Sequence, residues 1–246
     1  MAAARRAILH EALEQILANR AGALSGRDPE YLHQLRVATR RLRAALHVFG
    51  DMLRPGDVRA LRRMLRTLAR VTGPARDWDV FARRVPASLR PAAERRRRGA
   101  YIPLRGVLRA PQFWLLPRSR ATPRVPLPVF ARRVLERADR KALRRGARID
   151  WSRAAKRHAL RIRLRRLRYA GEFLHGAFPD ADPGPFIRSL KDLQDLLGEL
   201  NDLEVARRLR AELTGSAPRS GARAAKLLAQ LPAAWNAFTE APRFWR

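Results

Sequence analysis

The sequence has no cysteine, which excludes disulfides, thiolate nucleophiles and cysteine-ligated metals and accords with a reducing compartment. Lysine is scarce too: of 53 basic residues, only Lys141, Lys156, Lys191 and Lys226 are not arginine. Acids are few, and 22 Asp and Glu leave a formal charge of +31. No apolar run reaches the roughly 18 residues that a membrane span requires. Glu11 and Glu14 come too early for a signal peptide and weaken a membrane-surface role for the first helix. A cytoplasmic location is the expected default.

What is present is a hydrophobic content of 46% over 246 residues, enough for a buried core and far from a disordered basic tail. The charge exceeds what solubility needs, and a polyanionic partner is the simplest reason to tolerate that much repulsion. Arginine's planar fork suits bidentate contact with phosphate oxygens. A codon bias toward arginine accounts for much of the Arg:Lys ratio; it does not account for the net charge.

Sliding the chain against itself reveals one duplication at an offset of 125 residues. HQLRVATRRLRAALHVF (33 to 49) aligns with HALRIRLRRLRYAGEFL (158 to 174) with 8 identities in 17 positions. The offset persists: Leu65, Leu68, Gly73, Asp77 and Val80 match Leu190, Leu193, Gly198, Asp202 and Val205, while Arg76 pairs with Asn201 and Asp79 with Glu204. The predicted fold is therefore all-α, a bundle of two pseudo-twofold-related four-helix halves. Helices are predicted at 2–20, 29–49, 57–72 and 77–85, then at 128–146, 152–175, 185–197 and 202–213, with a last one at 221–231. Asp28 before Pro29 caps one start, Asp77 and Asn201/Asp202 are read as caps of the short fourth helices, and Gly50, Gly73, Gly176 and Gly198 as stops. As a single domain the chain divides into a first half at 1–85, a joint at 86–128 and a second half at 129–246. The joint holds eight of 17 prolines, the run Arg95 to Arg98 and the apolar cluster Phe113 to Leu116. Its prolines predict a short helix and an extended crossover.

On the second helix Leu32, Leu35, Leu42, Leu46 and Phe49 form an apolar stripe, and His33, Arg36, Arg40, Arg43 and His47 run beside it at the same three-four spacing. The duplicate buries Leu160, Leu164, Leu167 and Leu174 and carries His158, Arg161, Arg165 and Arg168 alongside. From Trp151 through Ala170 there are eight Lys and Arg and no acid, although a merely solvated helix would intersperse glutamates. A basic residue every roughly 5 Å along the axis makes a ladder suited to an extended phosphate chain. Arg63 with Arg66, and Arg188 with Lys191, offer second walls, and facing walls would form a central basic groove with a focused potential. Asp77, Asp79, Asp202 and Glu204 are either helix caps or second-sphere groups orienting the arginines. His33 and His158 either pack at the core margin or donate to phosphate, and their recurrence beside arginine favours the second. No carboxylate lies at ligand spacing from them, so no metal site is expected.

These pieces resemble a known family. HQLRVATRRLRAALHVF, LARVTGPARDWDVF, HALRIRLRRLRYAGEFL and LKDLQDLLGELNDLEVARRL, in that order over most of residues 1 to 214, are similar to the CHAD domain, the conserved histidine α-helical domain. The resemblance implies helical bundles of two pseudo-symmetric halves that bind inorganic polyphosphate in a basic central groove, some of them on polyphosphate granules. Carried over by position, the ligand residues are His33, Arg36, Arg40, Arg41, Arg43, Arg63 and Arg66, with His158, Arg161, Arg165, Arg166, Arg168, Arg188 and Lys191. The Glu-x-Glu-x-Lys patterning of the triphosphatase often fused to such domains is absent, so a binding module without cofactor or catalysis is expected.

Three rivals remain at this stage. A sequence-independent nucleic-acid binder would use the same arginines, but the basic stripes carry no aromatics for base stacking and rows lining an interior groove present no recognition helix. A granule-coating protein would dock through the apolar joint and the C-terminal APRFWR. An enzyme acting on polyphosphate would need a metal-binding carboxylate cluster that the sequence does not offer.

Overall fold

A computed structural model describes residues 2–111, 126–216 and 221–246; among these every regular element is helical. The elements are α1 (Ala2–Ala18), α2 (Arg20–Ser25), α3 (Pro29–Phe49), α4 (Pro55–Ala82), α5 (Arg90–Arg109), α6 (Leu127–Gly146), α7 (Ala154–Leu174), α8 (Gly184–Thr214) and α9 (Ala222–Glu240). Two compact units emerge: Met1–Pro123 with Glu212–Gly215, and Arg124–Ala211 with Ser216–Arg246.

In the first unit α3 packs on α1 and α4, and α4 packs on α5. The core is the apolar stripe read from the sequence, with Leu32, Leu35, Leu42, Leu65, Leu68 and Leu104 inaccessible to solvent. At roughly 1.5–3 kcal/mol per fully buried large side chain, this stripe dominates the stability of the unit. Asp28 caps α3 as expected, accepting from the Glu30 amide at 2.8 Å. Between α2 and α3 the chain turns through Gly26, whose φ of 66° favours glycine and whose missing Cβ would lie 2.8 Å from the Tyr101 ring.

The 125-residue offset carries into helix boundaries. Helices α3 and α7 have 21 residues each and are followed by three-residue 3₁₀ turns, Gly50–Met52 and His175–Ala177, in matching positions. In the second unit α6 packs on α7. Phe186 of α8 meets Phe238 of α9 at 5.9 Å and Trp245 at 4.8 Å, both edge-on or tilted, the low-energy arrangements for aromatic pairs.

Four expectations need correction. The predicted breaks at Gly73 and Gly198 do not occur, and α4 and α8 run continuously for 28 and 31 residues. Glycine and proline carry propensity costs, but α4 is clamped on both sides by α3 and α5, and Pro74 is exposed, so the carbonyl one turn earlier faces water. Asp77, Asp79, Asp202 and Glu204 are consequently helix-interior residues, not caps. The joint contains a full 20-residue helix, α5, with Pro91 in its first turn and Pro103 on its exposed side. The cluster Phe113 to Leu116 lies outside the described residues. Helix α9 continues past the predicted end at 231 to Glu240, with Pro232 exposed. Finally, APRFWR is no docking tail: Phe244 and Trp245 are 8% and 0% exposed in the second unit's core, and the segment is tied to α6 by Arg243 with Asp139 at 3.2 Å and Trp245 Nε1 donating to Glu136 at 3.2 Å.

Candidate functional site

Helix α3 carries its arginine row beside the leucine stripe, and Arg36 reaches across to α4. His33, Arg36 and Arg40 are half-buried there. Burial first, then the nearby Arg76 of α4 and Arg40 and Arg36 of α3, hold the His33 imidazole below its ordinary pKa against a smaller opposing effect of Glu30. Arg76 thus belongs to the same cluster and donates to the Pro29 carbonyl at 3.4 Å. Arg36 donates to the Thr72 hydroxyl at 3.3 Å, and that hydroxyl in turn donates to the Leu68 carbonyl at 2.7 Å.

These contacts fix an antiparallel register. Arg36 lies opposite Thr72, and a Cβ at Gly50 would meet Val58 at 3.7 Å. Continued between those points, the register sets Arg43 level with Arg66 and His47 near Arg62 and Arg63. Arg43, Arg63 and Arg66 are all exposed. A ladder of cations thus climbs the face from Arg76 at one end to Arg62 and Arg63 at the other.

The second unit repeats the register. His158 Nδ1 lies 3.1 Å from Asn201 Oδ1, and a Cβ at Gly171 would meet Ile187 at 3.1 Å. Between them Arg161 stands level with Gly198, Arg165 with Gln194, and Arg168 with Lys191. Arg188 extends the row at the exposed beginning of α8. Arg168 donates to Glu172 at 3.1 Å and lies 5.4 Å from the Tyr169 ring centroid.

The buried Nε of Arg40, Nε of Arg168 and Nε2 of Gln194 make no hydrogen bond. Buried polar groups are almost always satisfied, because an unsatisfied one costs about 1–3 kcal/mol. All three belong to α3, α7 and α8, the helices that carry or face the rows.

Other residues of the set point elsewhere. Arg41 pairs with Glu11 of α1 at 3.1 Å, and Arg166 lies with Arg163 beside Lys141 of α6. Asp79, 1% exposed, accepts from Arg97 Nε at 2.7 Å and from the Tyr101 hydroxyl at 2.9 Å. Burial pushes its carboxyl up while those two bonds pull it down, and the pairing raises the Arg97 guanidinium further above its usual range. Asp79 therefore clamps α4 to α5. Glu204, its partner in the duplication, holds Arg207 one turn along α8 at 2.8 Å, with Arg157 adding to the pull on its carboxyl. Asp202 is exposed beside Asn201, and Asp77 is half-buried in α4.

Sequence reading passed over Arg76, Asn201 and Gln194. The first two were visible as a matched pair in the duplication, but the supposed helix break at Gly73 and Gly198 removed them from the row-bearing helices. Nothing in the sequence marked Gln194, which stands where the first half has Ala69. Among the described residues no group of three His, Asp or Glu could hold a metal ion, and no helix is long and apolar enough to cross a membrane.

Comparison with known proteins gives a consistent result. The profile of the CHAD domain matches residues 7–211. The crystal structure of the CHAD domain from the plant Ricinus communis superposes with a TM-score of 0.73 at 29% identity, covering 99% of this chain and 93% of that one. PptA from Streptomyces chartreusis shares the fold, with a TM-score of 0.64 at 18% identity and 98% of both chains covered. No match emerges among curated protein sequences.

Proposed function

As the chain belongs to the CHAD domain family, whose members bind polyphosphate, we propose that it binds inorganic polyphosphate without catalysis, along the arginine rows of α3–α4 and α7–α8. The observation that carries this reading is the placement of buried, unbonded donors at Arg40, Arg168 and Gln194 on α3, α7 and α8. Dense bidentate and charge-assisted contacts suit an anion with a charge on every repeat unit and no bases to accommodate. Counterion release adds to affinity and makes it steeply salt-dependent. The ligand set comprises His33, Arg36, Arg40, Arg43, Arg63, Arg66 and Arg76 in the first unit and His158, Arg161, Arg165, Arg168, Arg188 and Lys191 in the second. A location in the cytoplasm, on polyphosphate granules, follows from the same reading.

The runner-up is sequence-independent nucleic-acid binding, which the same charges would support. Against it, the row residues are interleaved with buried aliphatic side chains and not with exposed aromatics. A competition titration at physiological salt decides between them: long-chain polyphosphate should displace labelled polyphosphate with affinity that grows with chain length to a plateau, while single- and double-stranded DNA compete weakly. A preference for DNA overturns the proposal.

A further inference from the structure

The run Arg95 to Arg98 divides its side chains around α5. Arg97 turns inward to Asp79, Glu94 and the Gly26 carbonyl. Arg95, Arg96 and Arg98 are exposed, and Glu94, the one acid of α5, is engaged by Arg97 at 2.8 Å. Among the described residues Arg95 and Arg96 make no ion pair. These two arginines open onto a cavity of about 660 Å³ in the first unit, whose walls include Trp78 of α4, Ala92 and Gly99 of α5, and Glu212. That volume lies within the roughly 300–1,000 Å³ typical of sites for small organic ligands.

The walls of this cavity are held in place. Trp78 is buried and stands edge-on to Phe81 at 5.6 Å. Asp79 and Arg97, the chain neighbours of Trp78 and Arg96, clamp α4 to α5 at 2.7 Å. Ala92 and Gly99 lie three and four residues from Arg95 and Arg96, so the four share one face of α5. A Cβ at Gly99 would meet nothing within 4 Å. Packing therefore makes no demand for glycine there, and the missing side chain lets a flat group approach the helix backbone closely.

The lining differs in kind from the rows. It joins an indole ring, two guanidinium groups and a carboxylate, whereas the rows run between aliphatic side chains. An inorganic phosphate chain has no use for an indole or a carboxylate. We propose that this cavity binds a free nucleoside phosphate, with its base against Trp78 and over Gly99, its phosphates at Arg95 and Arg96, and a ribose or base donor on Glu212. Guanidinium groups hold phosphate through charge-assisted, often bidentate contacts, and every base offers an apolar face to an aromatic wall. A carboxylate has about four acceptor positions, so Glu212 can accept from a ligand alongside contacts within the protein.

ATP is the probe. In protein carrying 5-fluorotryptophan, the ¹⁹F signal of Trp78, assigned by its loss in Trp78→Phe, should shift along a saturating curve as ATP is added at constant ionic strength. Sodium triphosphate, which has the charge and no base, should leave that signal in place. Gly99→Leu fills the floor of the cavity where added atoms meet nothing, and leucine is the better helix former. It should keep the fold and weaken the ATP curve by roughly tenfold or more, as should Arg95→Glu with Arg96→Glu. Polyphosphate affinity of the Gly99→Leu protein should stay as it was, because no row residue lines the cavity. The site is overturned if sodium triphosphate reproduces the Trp78 shift, or if the ATP curve survives either variant in folded protein. It is equally overturned if Gly99→Leu weakens polyphosphate and ATP alike, or if a single-stranded oligonucleotide saturates Trp78 more tightly than ATP does.

Discussion

Helix pairs α3–α4 and α7–α8 share a register and differ in what they place on it. His33 stands beside Arg76, whereas His158 is bonded to Asn201 at 3.1 Å; Asp79 is sealed under α5, whereas its counterpart Glu204 pairs within its own helix at the surface. Positions matched by the 125-residue offset thus keep different company, and the neighbours added outside those helices decide what each side chain does. Helix α5 converts one acid into a buried clamp, and the C-terminal segment takes up the acids of α6.

The comparison is tested first by what the two pairs should share. Charge reversal at Arg36, Arg40, Arg161 and Arg165 together should weaken polyphosphate binding by several kcal/mol, at about 1.5–3 kcal/mol per charge-assisted contact. Isothermal titration alongside a thermal melt measures it; intact folding with unchanged affinity would reduce these positions to a solvated face.

Next comes what they should not share. Asp79→Ala removes the buried acceptor of Arg97 Nε and of the Tyr101 hydroxyl, leaving Arg97 its contacts with Glu94 and the Gly26 carbonyl, and should cost about 1–3 kcal/mol of stability. Glu204→Ala, where both partners are about 40% exposed, should cost roughly 0–1 kcal/mol. Urea unfolding of the two variants provides the contrast, and equal costs would refute the assignment of Asp79 as the α4–α5 clamp.

The smallest expected effect concerns pH. His33 titrates below its unfolded value, so acidification favours the protonated unfolded chain and the free protein loses stability as pH falls through the ordinary histidine range. A polyanion on Arg36 and Arg40 offsets the repulsion that lowers this pKa, so binding should take up a proton and tighten on acidification by no more than roughly tenfold per unit of pKa recovered. Histidine NMR with and without polyphosphate checks the direction, and a His33 pKa that falls further on binding would contradict a place in the site.

Much of this was legible in the sequence because it is periodic. Leucines at three-four spacing identified the buried face of α3 and α7, the offset of 125 residues identified their equivalence, and the arginines one position along identified the rows. The breaks at Gly73 and Gly198 were misread because propensity is local, worth about 1 kcal/mol for a glycine, while the packing that overrides it comes from helices far away in sequence. The same limit left Arg76 and Gln194 off the rows, and the carry-over by position that named Arg41 could not show its pairing with Glu11 at 3.1 Å.

By itself, then, the sequence determined the helical fold class, the duplication and the density of arginine on one side of each repeated helix, because these follow from composition and the 3.6-residue period. Only the tertiary structure decided which cations meet carboxylates, which carboxylates are buried and which donors are left unbonded. Those outcomes depend on contacts between side chains up to about a hundred residues apart, such as Arg243 with Asp139, and no local pattern encodes them.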